Sequence, residues 1–161
     1  MSRDVQVYAK KKTTVPIKDI LARLRDLGIA AEWKADPLAE VSKKSARQGA
    51  WRAGVFVPEG DTESQTQIVV TNESLKKDDT LDVIEGYDDV LTEAQRKQLK
   101  AAQTLYWLRV GWLENPERER LLAGLAYALA ELGDGVILDT QTNRFYDRDE
   151  YRRRYSQFFK K

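Results

Sequence analysis

Six carboxylates crowd into one short stretch of this chain: Asp78, Asp79, Asp82, Glu85, Asp88 and Asp89, with no lysine or arginine among them. Glu93 extends the run. Three kinds of chemistry suit such a block. Like charges gathered in one place raise encounter rates with a basic protein, so the first reading is a docking surface for a cationic partner. Aspartates at close spacing also supply hard oxygen ligands for calcium, but this spacing does not match an EF-hand loop and the glycine is misplaced. The third reading is a solvated acidic connection leading into a helix N-terminus, where Asp and Glu are favoured anyway. The stretch from Asn72 to Leu91 shows little regularity and reads as a loop, and loops on rigid scaffolds are where recognition tends to sit. The six carboxylates are therefore assigned as the partner-binding residues.

The rest of the inventory removes whole classes of chemistry. The sequence contains no histidine and no cysteine. Ser-His-Asp and Cys-His nucleophiles are excluded, disulfides and thiolate metal sites with them, and a zinc site would have only carboxylates to draw on. Paired acids alone run glycoside chemistry, so a carboxylate enzyme stays open. Asp139 at a strand end is one candidate, although aspartate at a turn more often bonds backbone N–H groups. Gly133-Asp134-Gly135 lacks the helix and Lys-Ser/Thr of a phosphate loop. The chain is thus expected to be non-enzymatic, with no catalytic residue, metal or cofactor assigned. Three basic clusters form a second constellation: Lys10-Lys11-Lys12, Lys43-Lys44-Arg47 and Arg152-Arg153-Arg154. Together with Tyr151 and Tyr155 they could line a phosphate- or nucleic-acid-binding face. The net charge of +1 argues against it. Trp33, Trp51, Trp107 and Trp112 suit interface anchors or, more commonly, core.

The elements that must position these groups follow from periodicity. The 161 residues, 42% hydrophobic and 33% charged, suit one soluble domain spanning 1–161. The polar start has no apolar targeting region and no run reaches membrane-spanning length, which, with the lack of cysteine, fits a cytoplasmic protein. Val5 to Ala9 alternates as a first strand. Thr14 can cap a helix whose stripe is Ile17, Ile20, Leu21, Leu24 and Leu27, stopped by Gly28. Ile29 to Trp33 completes a β-α-β opening. The segment to Gln48 reads as a loop with a helical turn around Leu38 to Val41. Ala50 to Val57 is the next strand, with Trp51, Ala53, Val55 and Val57 on one side, and Gln65 to Thr71 is its hairpin partner. Thr92 and Gln95 form a capping box for a helix to about Gln103. Thr104 to Trp112 fits a strand or a continued helix, and its aromatic and β-branched content favours the strand.

Asn115 caps and Pro116 opens the longest helix. Leu121, Leu122, Leu125, Ala126, Leu129 and Leu132 share one face, small alanines widen it, and Gly133 suits a left-handed C-cap. The apolar strand Val136 to Asp139 follows, then a turn, a return strand from Arg144 to Tyr146, and a last helix capped by Asp147 and running to about Phe159. The expected fold is α+β: one domain, a mixed or mostly antiparallel sheet of five to seven strands, with helices packed mainly on one face.

The run Leu125-Ala126-Tyr127-Ala128-Leu129-Ala130-Glu131, then Gly133 to Gly135, Val136-Ile137-Leu138-Asp139 and Gln141-Thr142 through Tyr146 resembles a segment of small bacterial α+β proteins, some of them similar to immunity proteins of polymorphic-toxin systems. It runs from Leu125 to Tyr146 and carries no catalytic residues to transfer. The resemblance implies a cytoplasmic protein that neutralises a cognate toxin by occlusion. A phosphate- or nucleic-acid-binding accessory protein is the alternative.

Overall fold

A computed structural model describes residues 3–35, 51–60, 67–111 and 115–159. Among these residues seven strands form one sheet: β1 (Arg3–Ala9), β2 (Ala31–Ala35), β3 (Ala53–Pro58), β4 (Ile68–Ser74), β5 (Thr104–Val110), β6 (Gly135–Asp139) and β7 (Arg144–Tyr146). Their order is β2-β3-β4-β5-β1-β6-β7, and every neighbouring pair is antiparallel. The helices among the described residues are α1 (Ile17–Asp26), α2 (Lys77–Gly86), α3 (Glu93–Ala101), α4 (Pro116–Gly133) and α5 (Arg148–Arg154), followed by a 3₁₀ turn at Ser156–Phe158. The α+β class and the strand count match the sequence reading, and the ambiguous stretch after Gln103 is the strand β5.

The β-α-β opening exists along the chain but not in the sheet. β1 and β2 point the same way, yet β5, β4 and β3 lie between them. α1 is the crossover, packed on α4. The sequence could not show this, because the strands that fill the gap come later in the chain.

α4 is the centre of the main layer. Every residue from Leu121 to Ala130 is buried, so the expected stripe is a fully enclosed helix. One side meets the sheet and another meets α1, and the alanines and Gly124 allow both approaches. A Cβ on Gly124 would lie 2.5 Å from Ile29 Cδ1. Val5, Val7, Phe56, Ile68, Val70, Tyr106, Leu108 and Ile137 supply the sheet side of this core. The left-handed residue that ends α4 is Asp134, at φ 54°, and Gly133 is the last helical residue. Gly135 is needed one step later, where a Cβ would sit 2.6 Å from the Tyr8 carbonyl oxygen.

Other boundaries moved for local reasons. Pro16, not Thr14, is the N-cap of α1, and it makes no side-chain cap bond. Trp51 precedes β3 and turns into the main core against Phe56 and Tyr106, so it does not share the face of Val55. Its indole N–H donates to the Val15 carbonyl at 2.8 Å, and the Val15 N–H donates to the Tyr106 hydroxyl at 2.8 Å. Both backbone groups of a buried loop residue are satisfied by side chains, which fixes the loop between β1 and α1. The helical turn expected around Leu38 to Val41, the cluster Lys43-Lys44-Arg47 and Trp112 lie outside the described residues.

α5 is tied to α4 through Glu131. Arg23 Nε lies 2.5 Å from this carboxylate, and the Tyr127 hydroxyl donates to it at 2.7 Å. Arg152 donates to the same Tyr127 hydroxyl at 3.2 Å. Burial alone would raise the Glu131 pKa, but the bonds from Tyr127 and Arg23 outweigh it and hold the group below its ordinary value of 4.5. A depressed carboxylate adds stability that is complete above its unfolded value and is lost as pH falls through the folded one. Thermal melts between about pH 6 and about pH 3 should therefore show a shallower acid loss for Glu131→Gln than for the wild type. Equal slopes would mean that the carboxylate is as free in the fold as out of it.

Candidate functional site

The opposite face of the sheet carries a second, smaller core. Tyr8, Leu105, Val136, Leu138 and Phe145 alternate with the main-core residues along their strands and meet Leu91, Leu99 and Ala102. The α2–α3 pair covers this patch. The acidic run is therefore not a loop. β4 continues to Ser74, and Lys77–Gly86 is a helix. Its amphipathic signal is weak because Val83, Ile84 and Tyr87 are its only large residues packed on the second core, and they are only partly buried. Packing on that core, rather than a strong stripe, holds it in place.

Local bonds set the ends of α2. The Lys76 N–H donates to the Asp79 carboxylate at 2.8 Å, which closes the first turn. Asp78 and Asp79 also sit where the helix dipole favours negative charge. Thr80 is buried and its hydroxyl donates to the Lys77 carbonyl at 2.9 Å. Tyr87 packs edge-on against Phe145 with ring centroids 5.1 Å apart. Thr92 and Gln95 then form the expected capping box, with bonds of 3.0 and 3.1 Å in the two directions. Gln95 also donates to the Phe145 carbonyl, which fastens α3 to β7.

With its inner side spent on packing, α2 turns Asp78, Leu81, Asp82 and Glu85 outward at helical spacing. Asp88, Asp89 and Val90 follow in the exposed turn. Two of the six carboxylates are engaged locally. Asp79 caps the helix, and Asp88 pairs with Arg96 at 2.9 Å. Among the described residues no ion pair engages Asp78, Asp82, Glu85 or Asp89. The sequence reading missed Leu81 and Val90, which are 42% and 53% exposed. Helical spacing through Asp78 would have found Leu81, had the helix been recognised. The face is thus a row of carboxylates with two apolar side chains set into it. Among the described residues no group of three or more carboxylates is arranged to hold a metal ion.

The other candidates are placed differently. Asp139 is fully buried. Its Oδ2 accepts from Arg3 at 2.6 Å and from the Tyr155 hydroxyl at 3.3 Å, and its Oδ1 accepts from the Gln141 N–H at 3.0 Å. This carboxylate anchors the turn and the chain start. Burial opposes the charge on Arg3, but the bond to Asp139 and its field win and push the Arg3 pKa up. The two basic clusters among the described residues do not converge. Lys10 and Lys11 bond through their backbones to the C-terminal end of α4, whereas Arg154 lies over the Tyr146 and Tyr155 rings beside the Asp139 end of β6. β1 and β6 pair from Ala9–Gly135 to Val5–Asp139, so these clusters sit at opposite ends of the same strands. A small open cleft of about 210 Å³ lies between Ile29, Pro58, Glu59, Glu117 and Arg120. Arg120 is already committed to the Gly28 and Phe158 carbonyls.

The comparisons found no family model, no curated protein and no solved structure similar to this chain. Among the described residues no helix is long and apolar enough to cross a membrane.

Proposed function

We propose that this chain is a non-enzymatic binding module whose acidic face on α2 docks on a cationic protein surface, and that it acts as a cytoplasmic immunity protein, neutralising a toxin by occlusion. The observation that carries the reading is the outer face of α2. Asp78, Asp82 and Glu85 stand there around an exposed Leu81, with no ion pair to any of the described residues. Like charges three and four residues apart repel within a helix, so the free protein bears a small cost that a basic partner relieves. Carboxylates speed encounter, and apolar side chains among them supply contact once the surfaces meet. The resemblance of the segment from Leu125 to Tyr146, within the C-terminal third, to immunity-type proteins supports the same class of function.

The test begins with the neighbouring gene, where the reading requires a toxin-like reading frame that is then co-expressed with this chain, and a lone gene or a metabolic operon would count against it. Cells that the toxin alone kills should grow, and the two proteins should elute together. Killing without rescue, and no complex, would overturn the reading. The site has its own test. Changing Asp82 and Glu85 together to Asn and Gln should slow association at low salt by roughly tenfold and flatten its salt dependence, with the melting temperature unchanged. An association rate equal to the wild type at every salt concentration would reduce α2 to a solvated helix.

A further inference from the structure

β2 is an edge strand among the described residues, and it carries opposite charges on either side of its central residue. It reads Ala31-Glu32-Trp33-Lys34-Ala35 and pairs on one side with β3. Among the described residues nothing pairs with its other side. The direction of its backbone groups follows from two contacts. The Ala30 carbonyl accepts from the Glu59 N–H at 3.0 Å, so residue 30 faces β3. In an antiparallel ladder a residue sends its N–H and C=O to the same side, and successive residues alternate. Glu32 and Lys34 therefore also bond β3, and Ala31, Trp33 and Ala35 aim outward. Pro58, which has no N–H to give, sits opposite Ala31, where none is needed.

An outward-facing Trp33 allows a two-fold pairing of this strand with itself. Centred on Trp33, the pairing joins Trp33 to its counterpart and Ala31 to Ala35 as the hydrogen-bonded pairs. Glu32 then falls opposite Lys34 of the second copy, twice, in the non-hydrogen-bonded pairs where side chains approach closest. Shifting the centre to Glu32 would set Glu against Glu, and shifting it to Lys34 would set Lys against Lys. Charge therefore selects one register. Glu32 and Lys34 are exposed on the far side of the sheet from α4. Trp33 is held in place, because its ring lies over Gly54 so closely that a Cβ there would be 2.1 Å from Nε1.

The geometry points to β2 as a self-association edge, through which two copies join their sheets antiparallel about Trp33, with Glu32 and Lys34 as reciprocal ion pairs. The surface is distinct from the acidic face of α2, so its test does not depend on any partner. Sedimentation of the purified wild type should show a monomer–dimer equilibrium. Glu32→Lys and Lys34→Glu, each alone, should weaken it by about tenfold or more, since two attractive pairs become repulsive. Both positions are exposed, so each variant should keep its fold and melting temperature. Mixing the two variants should restore association, because each then meets its complement, and the double variant should dimerise like the wild type. A wild type that stays monomeric at ~1 mM, single variants that associate unchanged, or a mixture that stays monomeric would each overturn the proposal.

Discussion

Arg3→Met should lower the stability of this protein by about 3–5 kcal/mol, the usual effect of removing one partner from a buried ion pair. Arg3 is 8% exposed and Asp139 is fully buried. The guanidinium meets the carboxylate at 2.6 Å and the Tyr155 hydroxyl at 3.0 Å. Without it, Asp139 keeps one tyrosine and one backbone donor for a fully buried carboxylate. The loss should appear as a shift of the urea midpoint at constant slope. Adding Asp139→Asn should recover part of it, because the neutral amide removes the stranded charge. A loss below about 1 kcal/mol would place the pair among surface salt bridges. The pair closes the sheet where β1 begins and β6 ends, so the effect should be global rather than a fraying of the terminus.

Leu125→Ala should cost about 2–5 kcal/mol, the range for a buried leucine whose cavity cannot collapse. Leu125 is fully buried in the middle of α4, where the helix is enclosed on every side. Neither the sheet nor α1 can move in to fill the gap without breaking its other contacts. Leu81→Ala on α2 is the matched control. That side chain is 42% exposed, and its truncation should change stability by no more than about 0.5 kcal/mol. Comparable losses at both positions would mean that Leu81 packs against the protein instead of being held out to a partner. The contrast separates residues that build the scaffold from those that the scaffold presents.

How much of this was legible from residues alone depended on whether the signal was local. α4 was readable because Asn115 caps it through the N–H groups of Glu117 and Arg118, and because Pro116 opens it. The Thr92–Gln95 box and the Asp147 cap were readable for the same reason: a hydrogen bond spanning three residues leaves its pattern in the sequence. Strand alternation in β1 and β5 showed through their two-residue period. The α+β class followed from these pieces. α2 escaped because acidic residues fill most of its turns and its apolar side is short. What makes it a helix against the sheet is the patch of Tyr8, Phe145 and Leu99, drawn from distant parts of the chain. The order of strands escaped too, since the three that part β1 from β2 are supplied by later sequence. The acidic composition of the candidate site belongs to the sequence. That its carboxylates line one outward face, with Leu81 among them, was decided by the tertiary structure, because only packing of the inner side determines which side of a helix is left to solvent.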